Sequence, residues 1–282
     1  MAIVVAGGRA PAAVATATSE TIVRVLVCGA AGRMGRQVTQ AVVAESDLDL
    51  VGLCDVRDIP DDIRQDAPGA AFGSDLATLI GESSPEVMVD FTDASAGTAN
   101  ILAAIDAGVS PVVGTTGFSP GDLDEIAARG RAAGIGAFLA PNFALGAVML
   151  MRMCETAAPF FDHIEIIELH HDKKIDAPSG TAFQTARMIV DARGKPAVDV
   201  PTEKFTLDGV RGGDYQGVKI HSIRLPGLVA HQEVIFGGLS QTLTIRHDST
   251  SRESFMPGVL LAIRKVRSLD GLVVGLDSLL FN

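Results

Sequence analysis

The 282-residue sequence predicts an α/β fold: a parallel sheet covered by helices, followed by a second α+β domain on a mixed sheet. Three observations point there. Short runs rich in Val, Ile and Leu alternate with amphipathic stretches early in the chain, the pattern of repeated βαβ units. The first of these runs enters a helix through a glycine-rich turn. After about residue 145 the runs alternate polar and apolar residues instead, as strands do when one face of their sheet stays open.

In chain order, the expected strands of the first unit are Val23–Val27, Leu48–Cys54, Val87–Phe91, Val109–Val113 and Ile135–Ala140. Their near-continuous apolar content suits strands buried on both faces. Met34, Val38, Ala41 and Val42 recur at helical spacing and predict a helix face. Ser119 before Pro120 predicts a helix start, and Gly108 predicts the end of a helix through Ile101–Ile105. Farther on, His163–Leu169 and Gln241–His247 read as strands of the mixed sheet. The latter sets Leu243 and Ile245 on one side and Thr242, Thr244 and Arg246 on the other. Phe255, Val259, Ile263 and Val266 have helical spacing in a tail that fits either domain. Residues 1–20, with Arg9 as their only basic residue, lack the charged start of a secretory signal and are expected to be a flexible extension.

Composition excludes several classes. Hydrophobic residues make up 47% and charged residues 20%, as in a globular protein. No apolar run approaches the length of a membrane span. A formal charge of −11 disfavours nucleic acid as a partner and requires that any anion site be built locally. Cys28, Cys54 and Cys154 are odd in number and lack metal-ligand spacing, so the chain reads as a cytoplasmic protein without disulfides. No His, Asp or Glu spacing demands a metal.

The turn Gly29-Ala30-Ala31-Gly32-Arg33-Met34-Gly35 spaces its glycines as GxxGxxG, a variant of the dinucleotide fingerprint. The first glycine permits the turn, the second lets a pyrophosphate approach the backbone, and the third lets helix and strand pack closely. Asp55 follows at the end of the next strand, where a carboxylate can accept hydrogen bonds from a ribose. Together these predict a Rossmann-type dinucleotide-binding domain using NADH, NADPH or both. Asp55 favours NADH, whereas Arg33 and Arg57 can offset its charge for NADPH. Two further segments follow expected strands, where ligands of such sheets bind. They are Gly114-Thr115-Thr116-Gly117 and Ala140-Pro141-Asn142-Phe143, and both fit the nicotinamide end.

The densest chemistry runs from Glu165 to Ala182. A strand ends at His170 and His171, a basic loop carries Lys173 and Lys174, and Pro178-Ser179-Gly180-Thr181 leads into a helix. Histidine can exchange a proton near neutral pH. A lysine can hold a carboxylate, and Gly180 and Thr181 open a helix whose first N–H groups suit an anion. His163, His221, His231 and His247 are expected to be structural, with His221 and His231 the nearer to the site.

The run from Glu165 to Ala182 closely resembles the signature of the 4-hydroxy-tetrahydrodipicolinate reductase (dihydrodipicolinate reductase) family, E-I-x-E-x-H-x-x-x-K-x-D-x-P-S-G-T-A, at every fixed position. The glycine turn, Asp90-Phe91-Thr92, the Gly-Thr-Thr-Gly loop, the Pro-Asn-Phe turn, His221 to Gly227 and Ala230 to Glu233 are also similar to the family. The resemblance covers residues 22 to 282. It implies a dinucleotide-binding domain over 21–145 joined by the tail 252–282, and a substrate and oligomerisation domain over 146–251 that builds a homotetramer. It implies NAD(P)H-dependent reduction of a small cyclic dicarboxylate on the diaminopimelate route to lysine. By matching positions, it implies His170 as acid/base residue and Lys174 as proton donor, with His171, Gly180 and Thr181 on the substrate carboxylates. Gly29 to Met34 (Gly29, Ala30, Ala31, Gly32, Arg33, Met34), Asp55, Gly114, Thr115, Thr116, Ala140, Pro141, Asn142 and Phe143 would bind cofactor. Val56 stands where some members carry arginine, which leaves the choice of nicotinamide open. The competing readings are another two-domain dehydrogenase, such as an aspartate or homoserine dehydrogenase, and a non-catalytic NAD(P)H-binding redox sensor.

Overall fold

The computed structural model describes residues 22–281. The extension expected over residues 1–20 lies outside them. The elements run β1 Val23–Cys28, α1 Arg33–Val43, β2 Leu48–Cys54, α2 Asp61–Asp66, β3 Ala71–Gly73, α3 Leu76–Ser83, β4 Val87–Asp90, α4 Ala94–Asp106, β5 Ser110–Val113, α5 Pro120–Ala133 and β6 Ala137–Leu139. There follow α6 Leu145–Ala157, β7 His163–His170, α7 Gly180–Arg193, β8 Gly213–Tyr215, β9 Val218–Arg224, β10 Ala230–Gly238, β11 Gln241–Ser249, α8 Met256–Val266, β12 Leu272–Val274 and α9 Asp277–Phe281.

Seven strands form a parallel, Rossmann-type sheet in the order β12-β6-β5-β4-β1-β2-β3. The order reverses at β1, which places a crevice at the C-terminal ends of β1 and β4. The second sheet is mixed, in the order β11-β10-β7-β9-β8, with only β7 and β9 parallel. Its inner face packs on α6 and α7 through Ile164, Ile166, Val234, Phe236 and Ile189.

Local chemistry sets the boundaries. Ser119 and Asp122 form a reciprocal capping box ahead of Pro120, so α5 starts where that pair predicts. Val109 N–H donates to the Ala104 carbonyl (2.8 Å) and Ile135 N–H to the Gly130 carbonyl (2.9 Å). Both residues are spent closing helices, so β5 and β6 begin later than their apolar runs suggest. The three-residue strands β3 and β12 were not anticipated; they are too short to show a period. β11 departs from its expected pattern, since as an edge strand it leaves even Leu243 37% exposed.

The tail belongs to the first sheet. Val259, Ile263 and Val266 of α8 are almost fully buried in the same core as Val27, Val89 and Phe138. Arg264 reaches back to Asp47 (2.7 Å) and Glu45 (2.6 Å), and β12 pairs with β6. Truncating Ile263 to alanine should therefore cost about 2–5 kcal/mol in urea unfolding; a loss below about 1 kcal/mol would mean that α8 is not core.

Candidate functional site

The glycine turn is shaped by two close approaches. Gly29 has φ +78°, and a Cβ on it would meet the Phe91 carbonyl oxygen at 2.8 Å. A Cβ on Gly35 would overlap the Gly29 carbonyl oxygen, so only glycine lets α1 start this close to β1. α3, α4, α5 and α7 each satisfy a first-turn N–H with the side chain of Asp75, Asp93, Ser119 or Ser179. At α1 the cap is Gly32, with no side-chain acceptor. The first N–H groups of α1, those of Arg33 and Met34, are thus left for an external anion, and the residues fit a pyrophosphate.

Asp55 closes the turn. Its Oδ2 accepts from Ala31 N–H (2.9 Å) and Arg57 Nη2 (3.0 Å), and its Oδ1 accepts from Arg57 N–H (2.9 Å) and Nε (3.0 Å). Burial pushes this carboxyl up, but the Arg57 guanidinium and the backbone N–H groups outweigh it and hold Asp55 below the usual range. Of the two arginines expected near this acid, Arg57 pairs with it and Arg33 does not.

At the end of β4, Asp90 is fully buried. Its Oδ1 accepts from Thr92 Oγ1 (2.7 Å) and Thr115 Oγ1 (2.8 Å), and its Oδ2 from Asn100 Nδ2 (2.9 Å). This pins the Gly114–Thr116 loop beside the glycine turn, with Thr116 left exposed. Phe143 lies in the core between Phe91 and Phe138, at centroid distances of 5.8 and 5.9 Å. Ala140 is buried too, so both can face a ligand only through backbone. Asn142 spans the two domains, its Nδ2 donating to Thr181 Oγ1 (3.3 Å).

The second domain centres on Glu168, whose side chain is fully buried. On β7 it follows Ile164 and Ile166 in the phase of inward-facing residues, and a carboxylate there must find donors. It finds four: His170 Nδ1 (2.5 Å), Arg224 Nη1 (2.9 Å), Arg224 Nη2 (2.8 Å) and Ser179 N–H (3.2 Å). Burial raises this carboxyl, but hydrogen bonds from His170 and Arg224 win and hold it at about 2. With Nδ1 of His170 engaged, Nε2 is left free of Glu168, and the residue lines a cavity of about 40 Å3 shared with Asn142, Thr181, Gln232 and His247. Lys174 pairs with Asp176 (2.7 Å), whose backbone carbonyl accepts from Arg224 Nη2 (2.7 Å). His171 heads this loop; its carbonyl accepts from Lys174 N–H (3.2 Å).

Family models for the N-terminus and C-terminus of dihydrodipicolinate reductase match residues 23–143 and 146–280. The chain belongs to the dihydrodipicolinate reductase family. It is 52% identical over 262 residues to a 4-hydroxy-tetrahydrodipicolinate reductase of Moorella thermoacetica, covering 92% of this chain and 98% of that protein. A relative of the same name from Desulfitobacterium hafniense is 48% identical over 264 residues, covering 92% of this chain and 98% of that protein. Among solved structures, the dipicolinate-bound dihydrodipicolinate reductase from Paenisporosarcina sp. TG-14 superposes with a TM-score of 0.83 at 40% identity, covering 91% of this chain and 99% of that one.

The structure brings His170, Thr181 and Asn142 to one cavity, with Lys174 on the adjoining loop, and gathers the glycine turn and Asp55 at the crevice of the first sheet. Two histidines depart from expectation. His221 bonds Glu165 (2.8 Å) on the outer face of the second sheet, whereas His247 lines the cavity. The parity of β11 explains the latter, since His247 lies opposite Gln232 and shares its inward side. Sequence reasoning gave no role to Glu168, Arg224 or Asp90. A charge in the buried phase of a strand was the available signal for Glu168; Arg224, 56 residues away, gave none.

Because the folded carboxyl of Glu168 lies below its ordinary value of 4.5, it stabilises the fold above that pH and loses its contribution as pH falls toward about 2. Unfolding free energy measured across this window should fall more steeply for the wild type than for Glu168→Gln. Equal slopes would show that Glu168 carries no such linkage.

Proposed function

We propose that the chain is an NAD(P)H-dependent 4-hydroxy-tetrahydrodipicolinate reductase, yielding tetrahydrodipicolinate in the diaminopimelate route to lysine. The observation that carries this reading is His170, oriented by Glu168 in one cavity with Asn142 and Thr181, beside the Lys174 loop and below a glycine turn fit for a pyrophosphate. On this reading residues 21–145 with the tail 252–282 hold the cofactor, and residues 146–251 hold the substrate.

When bound, the dihydronicotinamide supplies a hydride. Gly29 to Met34 hold its pyrophosphate, Asp55 its ribose, and Gly114 to Thr116 with Ala140 to Phe143 its nicotinamide end. His171, Gly180 and Thr181 hold the two substrate carboxylates at the start of α7, where unpaired N–H groups offset charge. Loss of the substrate's 4-hydroxyl as water leaves a C=C conjugated with an imine; once hydride adds to it, the product carries negative charge until protonated, and N–H and ammonium groups must stabilise it there. Lys174 donates that proton, and His170 exchanges it through Nε2 while Glu168 holds Nδ1–H. The net charge of −11 is no obstacle, because the attraction acts locally.

Arg57 supports use of both nicotinamides. Its guanidinium covers Asp55 and is 61% exposed, so a 2′-phosphate meets a cation there, and a 2′-hydroxyl reaches the carboxylate once Arg57 swings aside. A cytoplasmic homotetramer fits the remaining features. The three cysteines are free and buried, and no helix among the described residues is long and apolar enough to cross a membrane. Ile167, Leu169, Ile223 and Ile235 line up across the outer face of the second sheet, a surface suited to association.

Cofactor absorbance should fall when substrate is made fresh from pyruvate and aspartate semialdehyde by its synthase. His170→Ala and Lys174→Ala should lower kcat by about 10²–10⁴-fold with NADH binding intact. A folded chain that binds NADH but oxidises neither cofactor would overturn the reductase reading in favour of a sensor. Arg57→Ala should raise KM for NADPH about tenfold and leave that for NADH nearly unchanged; equal changes would remove Arg57 from cofactor choice.

A further inference from the structure

Gln232 borders the His170 cavity but has no role in the reaction described so far. It sits on β10 between Glu168 of β7 and His247 of β11, and is only 6% exposed. Its amide has a fixed sense. Thr185 Oγ1 gives its single proton to the Thr181 carbonyl, one turn back on α7 (2.8 Å). A hydroxyl oxygen with its proton spent can only accept, so Gln232 must present its NH2 group to it, and does so at 2.8 Å. The amide oxygen is thereby turned away from Thr185. Gln232 Oε1 is buried and has no hydrogen-bond partner among the described residues.

Glu168 beside it has no proton to offer, and its oxygens are already taken by His170, Arg224 and Ser179. A buried amide oxygen without a donor is costly, and where one persists a ligand commonly completes it. Gln232 also borders the cavity that holds His170, Asn142 and Thr181, so it stands where residues of both domains converge.

We infer that Gln232 is a further ligand-contacting residue, whose Oε1 accepts a hydrogen bond from a neutral donor on the bound ligands. This rests on the reductase reading. Substrate carboxylates only accept and cannot be its partner. At the reacting ends of the two ligands the neutral donors are the 4-hydroxyl of the substrate ring and the carboxamide NH2 of the nicotinamide. Such a contact discriminates strongly, because a ligand lacking the donor leaves the buried oxygen unpaired.

The test compares the wild type, Gln232→Met and the near-isosteric Thr185→Val, which frees the amide to turn. For each, the KM values of hydroxylated substrate and NADH, the affinity of the 3-acetylpyridine analogue of NADH, and inhibition by dipicolinate are measured. Dipicolinate has two carboxylates but no hydroxyl, and the acetyl group has no N–H. Both variants should weaken the donor-bearing ligand about 3- to 10-fold while dipicolinate inhibition holds. A rise confined to substrate KM identifies the hydroxyl. A rise confined to NADH, absent with its analogue, identifies the carboxamide. Unchanged constants overturn the inference, as does an equal loss for dipicolinate, which would make Gln232 a support for the Thr181 turn. A wild type that does not reduce the substrate overturns this inference together with the reductase reading.

Discussion

The second domain of the molecule hangs on one desolvated carboxylate. Glu168 lies on the buried face of β7, where an unpaired charge could not persist. Each donor that neutralises it also fixes a piece of the site. His170 is set in one tautomer and one orientation, Ser179 is drawn to the start of α7, and Arg224 is left with a hydrogen-bonding edge that holds the loop at Asp176. The loop bearing Lys174 is thereby tied, through Asp176 and Arg224, to the carboxylate that orients His170. Polar networks of this kind act as a unit, since the loss of one member leaves the rest buried without partners.

The cofactor half repeats the solution with aspartate. Asp90 and Asp55 stand at the ends of the two parallel strands that flank β1, and each gathers the loop beyond its strand by accepting from backbone and side-chain donors. A parallel sheet delivers all its strand ends to one edge, so two such carboxylates suffice to fix three loops around the crevice. Burial and function agree here: the carboxylates are internal, and the groups they position, such as Thr116 and Arg57, reach outward.

Much of this was legible in the sequence, for reasons that differ from place to place. The glycine turn could be read because its backbone constraints admit no other residue. The start of α5 could be read because a Ser–Pro helix start is local chemistry. The Glu165–Ala182 signature gave the positions of His170 and Lys174 but not the roles of Glu168 and Arg224. Those depend on a strand pairing across 56 residues that no local pattern encodes. Strands β3 and β12 were invisible because three residues carry no period. His221 and His247 exchanged their expected places because sheet parity, fixed only by register, decides which side of a strand faces the cavity. The family comparisons settled the kinship; the buried polar contacts came from the fold alone.

The return of α8 and β12 to the first sheet has a consequence for the order in which the molecule can be finished. A chain emerging from the ribosome presents β1 through β6 first, yet their core stays open until residues some two hundred positions later arrive, as Arg264 does at Asp47. The second sheet, by contrast, draws its strands from one contiguous stretch and can close while the tail is still being made. The cofactor-binding unit is thus begun first and completed last. Until that moment its apolar strands depend on whatever shelters nascent chains, and the crevice at β1 and β4 has no finished floor on which to receive a dinucleotide.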